Sequence, residues 1–147
     1  MQDLGTPAAG AHPDGDSCAV AINDAGTIVG NAGVPRTNDG GLEEDCPVKW
    51  TNGALQPFVM GIRGIAYAIS GSGLIVGQVI GRPVLFDPSG GYRELSTALE
   101  GVQISGWELT AAYGVNDAGQ IVGYGKHNGA VRAFRLTPLL SSGRGQF

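Results

Sequence analysis

The sequence predicts an all-β fold built from three tandem four-stranded units, and three observations carry that prediction. One phrase recurs as AVAINDAGTIVG from Ala19 to Gly30, AYAISGSGLIVG from Ala66 to Gly77 and AYGVNDAGQIVG from Ala112 to Gly123. The closing glycines stand 47 and then 46 residues apart, a period that marks repeated supersecondary units stacked in series. The composition, 26 Gly, 8 Pro and 15% charged residues in 147, suits short strands joined by tight turns better than helices.

Each unit opens with a hairpin. In the first, Ala19 to Ile22 runs through Asn23-Asp24-Ala25-Gly26 into Ile28-Val29; Asn and Asp favour a type I turn, and Gly supplies the left-handed residue that closes it. Asn116 to Gly119 repeats this turn and Ser70 to Gly73 substitutes for it. The third strands are Cys46 to Trp50, Arg82 to Phe86 and Arg132 to Leu136, whose alternating large apolar residues turn one face to a core. The fourth strands are Ala54 to Phe58 and Tyr92 to Leu95, with prolines suited to edges that need fewer ladder bonds. The third unit shows no fourth strand after Pro138, and Met1 to Gly5 fits the missing piece. The units therefore run over about 17–58, 59–95 and 96–138, the last completed by an N-terminal strand at 1–5 in one domain. A strand returned in this way fastens a ring of sheets and leaves no open edge. Leu139 to Phe147 reads as a frayed end.

The net charge of −4 excludes the basic footprint of a nucleic-acid surface and gives no attraction to an anionic membrane. No run approaches the ~20 apolar residues of a membrane span, and Met1 to Gly5 lacks the start of a signal peptide, so the chain reads as soluble.

These residues resemble the HAF-repeat family of bacterial extracellular repeats. Ala112 to Gly123, Arg132-Ala133-Phe134 and Asp3-Leu4-Gly5-Thr6 carry the resemblance most closely; the name-giving triplet reads Cys46-Pro47-Val48 and Arg82-Pro83-Val84 in the other units. The resemblance implies a secreted or surface-associated β-propeller, with no catalytic residues to carry over. Three blades are too few for a ring that typically has about four to eight. Either two chains join as a homodimer into a six-bladed ring, each N-terminal strand completing the partner's last blade, or one chain closes alone as a threefold β-trefoil. The resemblance and the consecutive up-down strand order favour the dimeric propeller.

Insertions fall before the first strands, Gly5 to Ser17 and Ser96 to Thr110, and between second and third, Asn31 to Asp45. In an up-down sheet these positions share one rim, and long, varied loops over a rigid scaffold make it the expected binding face. Trp107 lies in one insertion and offers an aromatic face to a sugar ring, with core packing as the competing reading. Arg82 and Arg132, at equivalent third-strand starts, either donate to an anionic ligand or sugar hydroxyls or cap a sheet edge against nearby acids. His127 completes this ligand-binding set. Trp50 aligns with Phe86 and Leu136 and belongs to the core.

Asp14, Asp16 and Asp39 supply the hard oxygen donors for a candidate calcium site if the first unit's loops converge; a solvated acidic loop with Asx-turns is the favoured explanation of them. The two cysteines allow one intramolecular bridge, Cys18 to Cys46, but regular strands one and three lie about 9 to 10 Å apart, beyond disulfide reach unless an insertion bends. Two free thiols are the alternative. No nucleophile elbow, phosphate loop or zinc spacing is present, and a glycosidase pair drawn from Asp39, Glu43, Glu44 or Glu108 is one any acidic loop would offer. The expectation is a non-catalytic, lectin-like binding module with no other cofactor, engaging a glycan or surface protein. The competing classes are a structural or protein-interaction module and a glycoside hydrolase.

Overall fold

Alternating apolar residues punctuated by glycine turns become eleven strands and one short helix in the computed structural model, which describes residues 1–5, 16–34, 44–98 and 105–138. The first sheet comprises β1 (Ser17–Ile22), β2 (Ile28–Val34), β3 (Glu44–Thr51) and β4 (Ala54–Pro57). The second comprises β5 (Gly64–Ile69), β6 (Ile75–Val79), β7 (Arg82–Phe86) and β8 (Tyr92–Glu94), followed by the single-turn helix α1 (Leu95–Ala98). The third comprises β9 (Trp107–Val115), β10 (Ile121–His127) and β11 (Ala130–Leu136). In every sheet consecutive strands pair antiparallel. The all-β expectation is met, as three separate small sheets. A trefoil would gather strands of all three units into one barrel, and the described strands form no closed barrel.

The recurrent phrase has a local physical cause. Gly26, Gly73 and Gly119 sit at φ 77°, 86° and 73°, a region that excludes most side chains, and donate to the carbonyls of Asn23, Ser70 and Asn116. The side chains of those three residues then accept from the backbone N–H of Thr27, Leu74 and Gln120 at 3.0, 3.0 and 2.9 Å. Ser70 thus does with its hydroxyl what Asn23 and Asn116 do with an amide oxygen. Each first strand carries a bulge that leaves Val20, Tyr67 and Tyr113 outside the pairing. The bulge brings a carbonyl against the next strand: a Cβ on Gly30, Gly77 or Gly123 would overlap the carbonyl of Cys18, Ile65 or Ala111. Hence the phrase ends in glycine.

The sheets pack in series, each with a leading face toward the sheet before it and a trailing face toward the one after. Val29 of the first sheet and Phe58, just past its last strand, meet Ala66, Ile75, Val84 and Phe86 on the leading face of the second. Phe58 stacks on Phe86 with ring centroids 4.6 Å apart. One step on, Val76, Leu85 and Leu95 meet Ala112, Ile121 and Phe134 of the third sheet. Burial of each such Val, Leu, Ile or Phe side chain contributes roughly 1.5–3 kcal/mol. Equivalent turns also join across the junctions: Asn23 Nδ2 donates to the Ser70 carbonyl at 3.2 Å, and the Gly71 N–H donates to Asp117 Oδ1 at 2.6 Å.

Met1 to Gly5, expected as a strand completing the third sheet, forms no strand within the chain, and among the described residues that sheet runs no further than β11. Leu4 instead packs on the leading face of the first sheet, with Ala32, Val48 and Trp50. Trp50 is core, as its alignment with Phe86 implies, and is 1% exposed.

Candidate functional site

The junction between the second and third sheets opens at the rim as a cleft of about 630 Å³. Its floor and walls come from the β6–β7 turn at Ile80 and Gly81, the start of β7, the end of β8 and the start of β9. Trp107 stands at the mouth, half-buried. Cross-strand pairing sets it opposite His127, and the two rings stack with centroids 4.7 Å apart and planes inclined at 19°. Phe134 meets the indole edge-on at 6.3 Å, so the ring is held by the core behind it while part of it faces the cleft.

Charged groups also line the cleft. Arg82 Nη1 donates to both oxygens of Glu94, at 2.8 and 3.1 Å, which fixes a guanidinium and a carboxylate at one wall. Glu108 and Lys126 face each other in register across β9 and β10 and line the opposite wall with Thr110. Two cations and two carboxylates among the lining residues give the cleft mixed polarity, able to donate and accept, with Glu108 and Lys126 one step along the ladder from Trp107 and His127 and on the other face of that sheet.

Ile80 adds strain to the site. It occupies φ 47° in the two-residue turn that Asn52-Gly53 and Asn128-Gly129 build elsewhere with a residue suited to that region, and its side chain is 69% exposed. With Gly81 it also lines a smaller cleft of about 260 Å³ between the first and second sheets, beside Asn31, Asp45, Arg63 and Tyr67. Tyr67 touches Tyr113 edge-on at 4.7 Å, and Tyr113 stacks on Tyr124. Burial, followed by the neighbouring hydroxyls of Tyr113 and Tyr124, pushes the Tyr67 pKa above the ordinary tyrosine value.

Of the residues singled out in the sequence, Arg82 and Trp107 meet in the larger cleft and His127 backs the indole. Arg132 lies in β11 opposite Gly125, exposed, its Nη1 donating to the Val131 carbonyl, and does not line the cleft. Asp14 and Asp39 lie outside the described residues, as does Glu43. Asp16 is exposed and its carbonyl accepts from the Gly33 N–H; no group of three or more metal-ligating side chains occurs among the described residues. Cys18 and Cys46 form no disulfide. Cys18 pairs with Asn31 and Cys46 with Ala32, adjacent residues of β2 whose side chains point to opposite faces, so the thiols sit on opposite sides of the sheet with β2 between them.

Glu94, Lys126 and Ile80 were not legible as site residues. The signal for Ile80 is its place before Gly81 between two apolar strands, the position that Asn takes in the other two-residue turns. Comparison with known proteins finds no match: no family model, no curated protein and no solved structure is significantly similar to the chain.

Proposed function

We propose that this protein is a non-catalytic, lectin-like binding module whose three sheets are successive blades of a β-propeller and whose working site is the cleft around Trp107. The observation that carries the reading is the setting of Trp107: an aromatic ring left partly exposed in a cleft, with its orientation held by His127 and Phe134. Such a surface stacks on the apolar face of a sugar ring, while Arg82, Glu94, Glu108 and Lys126 bond the hydroxyls at its edge. The mixed charge favours a neutral or zwitterionic glycan over a strongly anionic one. The blade reading is supported by the serial packing of up-down sheets and by the HAF-repeat resemblance, which also suggests an extracellular setting.

A glycan array probed with the intact protein tests the reading. Binding to a set of glycans sharing a terminal sugar, reduced about tenfold or more by Trp107→Ala, is the expected result. Absence of glycan binding, or binding indifferent to Trp107→Ala, would sink it. A structural or protein-interaction module is the second reading, favoured by the apolar side chains Val122 and Val131, which are 46% and 62% exposed.

A further inference from the structure

The first and last described sheets differ from the middle one in complementary ways. On the trailing faces, Val29 and Val76 are fully buried by the sheet that follows, whereas their equivalent Val122 is 46% exposed. On the leading faces, Ala66 and Ala112 are fully buried by the sheet that precedes, whereas their equivalent Ala19 is exposed. Among the described residues the third sheet has no fourth strand, so the outer edge of β11 has none of the pairing there that β4 and β8 give β3 and β7.

The position of Leu4 identifies what is missing. The residue that follows each fourth strand packs on the next sheet: Phe58 joins the cluster containing Phe86, and Leu95 the cluster containing Leu136. Leu4 joins the corresponding cluster of the first sheet, with Trp50 and Val48. It therefore sits where the chain would emerge from the fourth strand of a sheet ahead of the first, and Asp3 stands where Glu94 stands before Leu95.

We propose that two copies of this chain close head to tail into a six-sheet ring, in which Met1 to Asp3 of each copy is the fourth strand of the other's third sheet. The proposal rests on the blade reading and not on what the cleft binds. By the register of Val84 with Glu94, Phe134 pairs with Asp3 of the partner subunit. Arg132 is the equivalent of Arg82, whose guanidinium holds Glu94 at 2.8 Å, and Asp3 of the partner subunit gives Arg132 the same carboxylate. The first unit follows the same rule from the other side: Cys46 replaces the arginine, and Pro57 replaces the acid. Asp24 occupies the place of Asp117 in its turn and provides the acceptor for another inter-sheet bond like that from Gly71. Trp50 Nε1 is a buried donor with no acceptor among the described residues, on the face the second copy would cover. Two copies suffice because six is the one multiple of three among propellers of about four to eight sheets.

Light scattering of the 147-residue protein should give twice the 15.0 kDa chain mass. Arg132→Asp and Asp3→Arg should each raise the dissociation constant about tenfold or more, and the two together in one chain should restore it to within about threefold. Circular dichroism and hydrogen exchange at the Gly71 amide report whether each variant keeps its sheets packed. A monomer at every concentration, a dimer indifferent to both reversals, or an open polymer would overturn the proposal. A monomer in which the Gly71 amide stays protected overturns the exchange alone, whereas one in which it exchanges freely also undermines the blade reading.

Discussion

The Gly71 N–H donates to the Asp117 carboxylate at 2.6 Å across the junction of the second and third sheets, between two turns that the repeat makes equivalent. The residues are 46 apart, close to the period itself, and Asn23 reaches the Ser70 carbonyl at a separation of 47 across the preceding junction. The turns that close each hairpin therefore also link neighbouring sheets, at the end of the strands opposite the rim clefts. Asp117→Ala should lower stability by about 1 kcal/mol, the lower end for a bond to a charged acceptor because the site is exposed. Urea unfolding checks this, with Asp24→Ala, outside any such described bond, as the control expected to change little at protein concentrations where the chain is monomeric.

Gly123→Ala should be far more damaging. Its Cβ would overlap the Ala111 carbonyl in the bulged strand and press on Phe134, so backbone must move. A loss of about 3 kcal/mol is expected by chemical denaturation, against about 1 kcal/mol or less for Gly129→Asn, which sits in an open turn.

Ile80→Asn should stabilise the protein by about 1 kcal/mol, because Asn tolerates the left-handed conformation that a β-branched residue resists. Thermal unfolding reads this directly. The same variant should weaken glycan binding if the exposed isoleucine at the cleft wall touches ligand, which separates a site kept under strain from a neutral sequence accident.

The Tyr67 hydroxyl adds an alkaline dependence. Its pKa is raised in the fold, chiefly by burial, so its contribution is fully present below the ordinary tyrosine value of 10.0 and is lost as pH rises through its own higher pKa. Denaturation midpoints followed from pH 8 to about 11 should fall at the alkaline end, and Tyr67→Phe should flatten that fall. An unchanged slope in the variant would assign the dependence elsewhere.

The repeat made most of the fold readable. Asn23, Ser70 and Asn116 announce turns because their side chains satisfy the backbone of those turns, and Gly30, Gly77 and Gly123 end the phrase because a bulged carbonyl occupies the space of a Cβ. Alignment of Trp50 with Phe86 separated it from Trp107 before any contact was known. What the pattern hid are facts of three-dimensional register. Adjacent partners on β2 place Cys18 and Cys46 on opposite faces, and spacing along the chain carries no trace of that. Arg132 matches Arg82 in the alignment, yet β10 and β11 pair out to His127 and Ala130, two residues beyond the point where β6 and β7 turn, so it lies back from the turn and apart from the cleft. Leu4 was read as part of a strand completing a third unit, and within the chain its contacts are with the first sheet.

The most direct test of the binding site uses the two indole N–H signals of the chain's only tryptophans, Trp50 and Trp107, assigned through Trp107→Phe. During titration with an array-selected glycan, the Trp107 signal should shift in step with binding while that of the buried Trp50 stays in place. Saturable binding that leaves Trp107 unmoved would contradict the account.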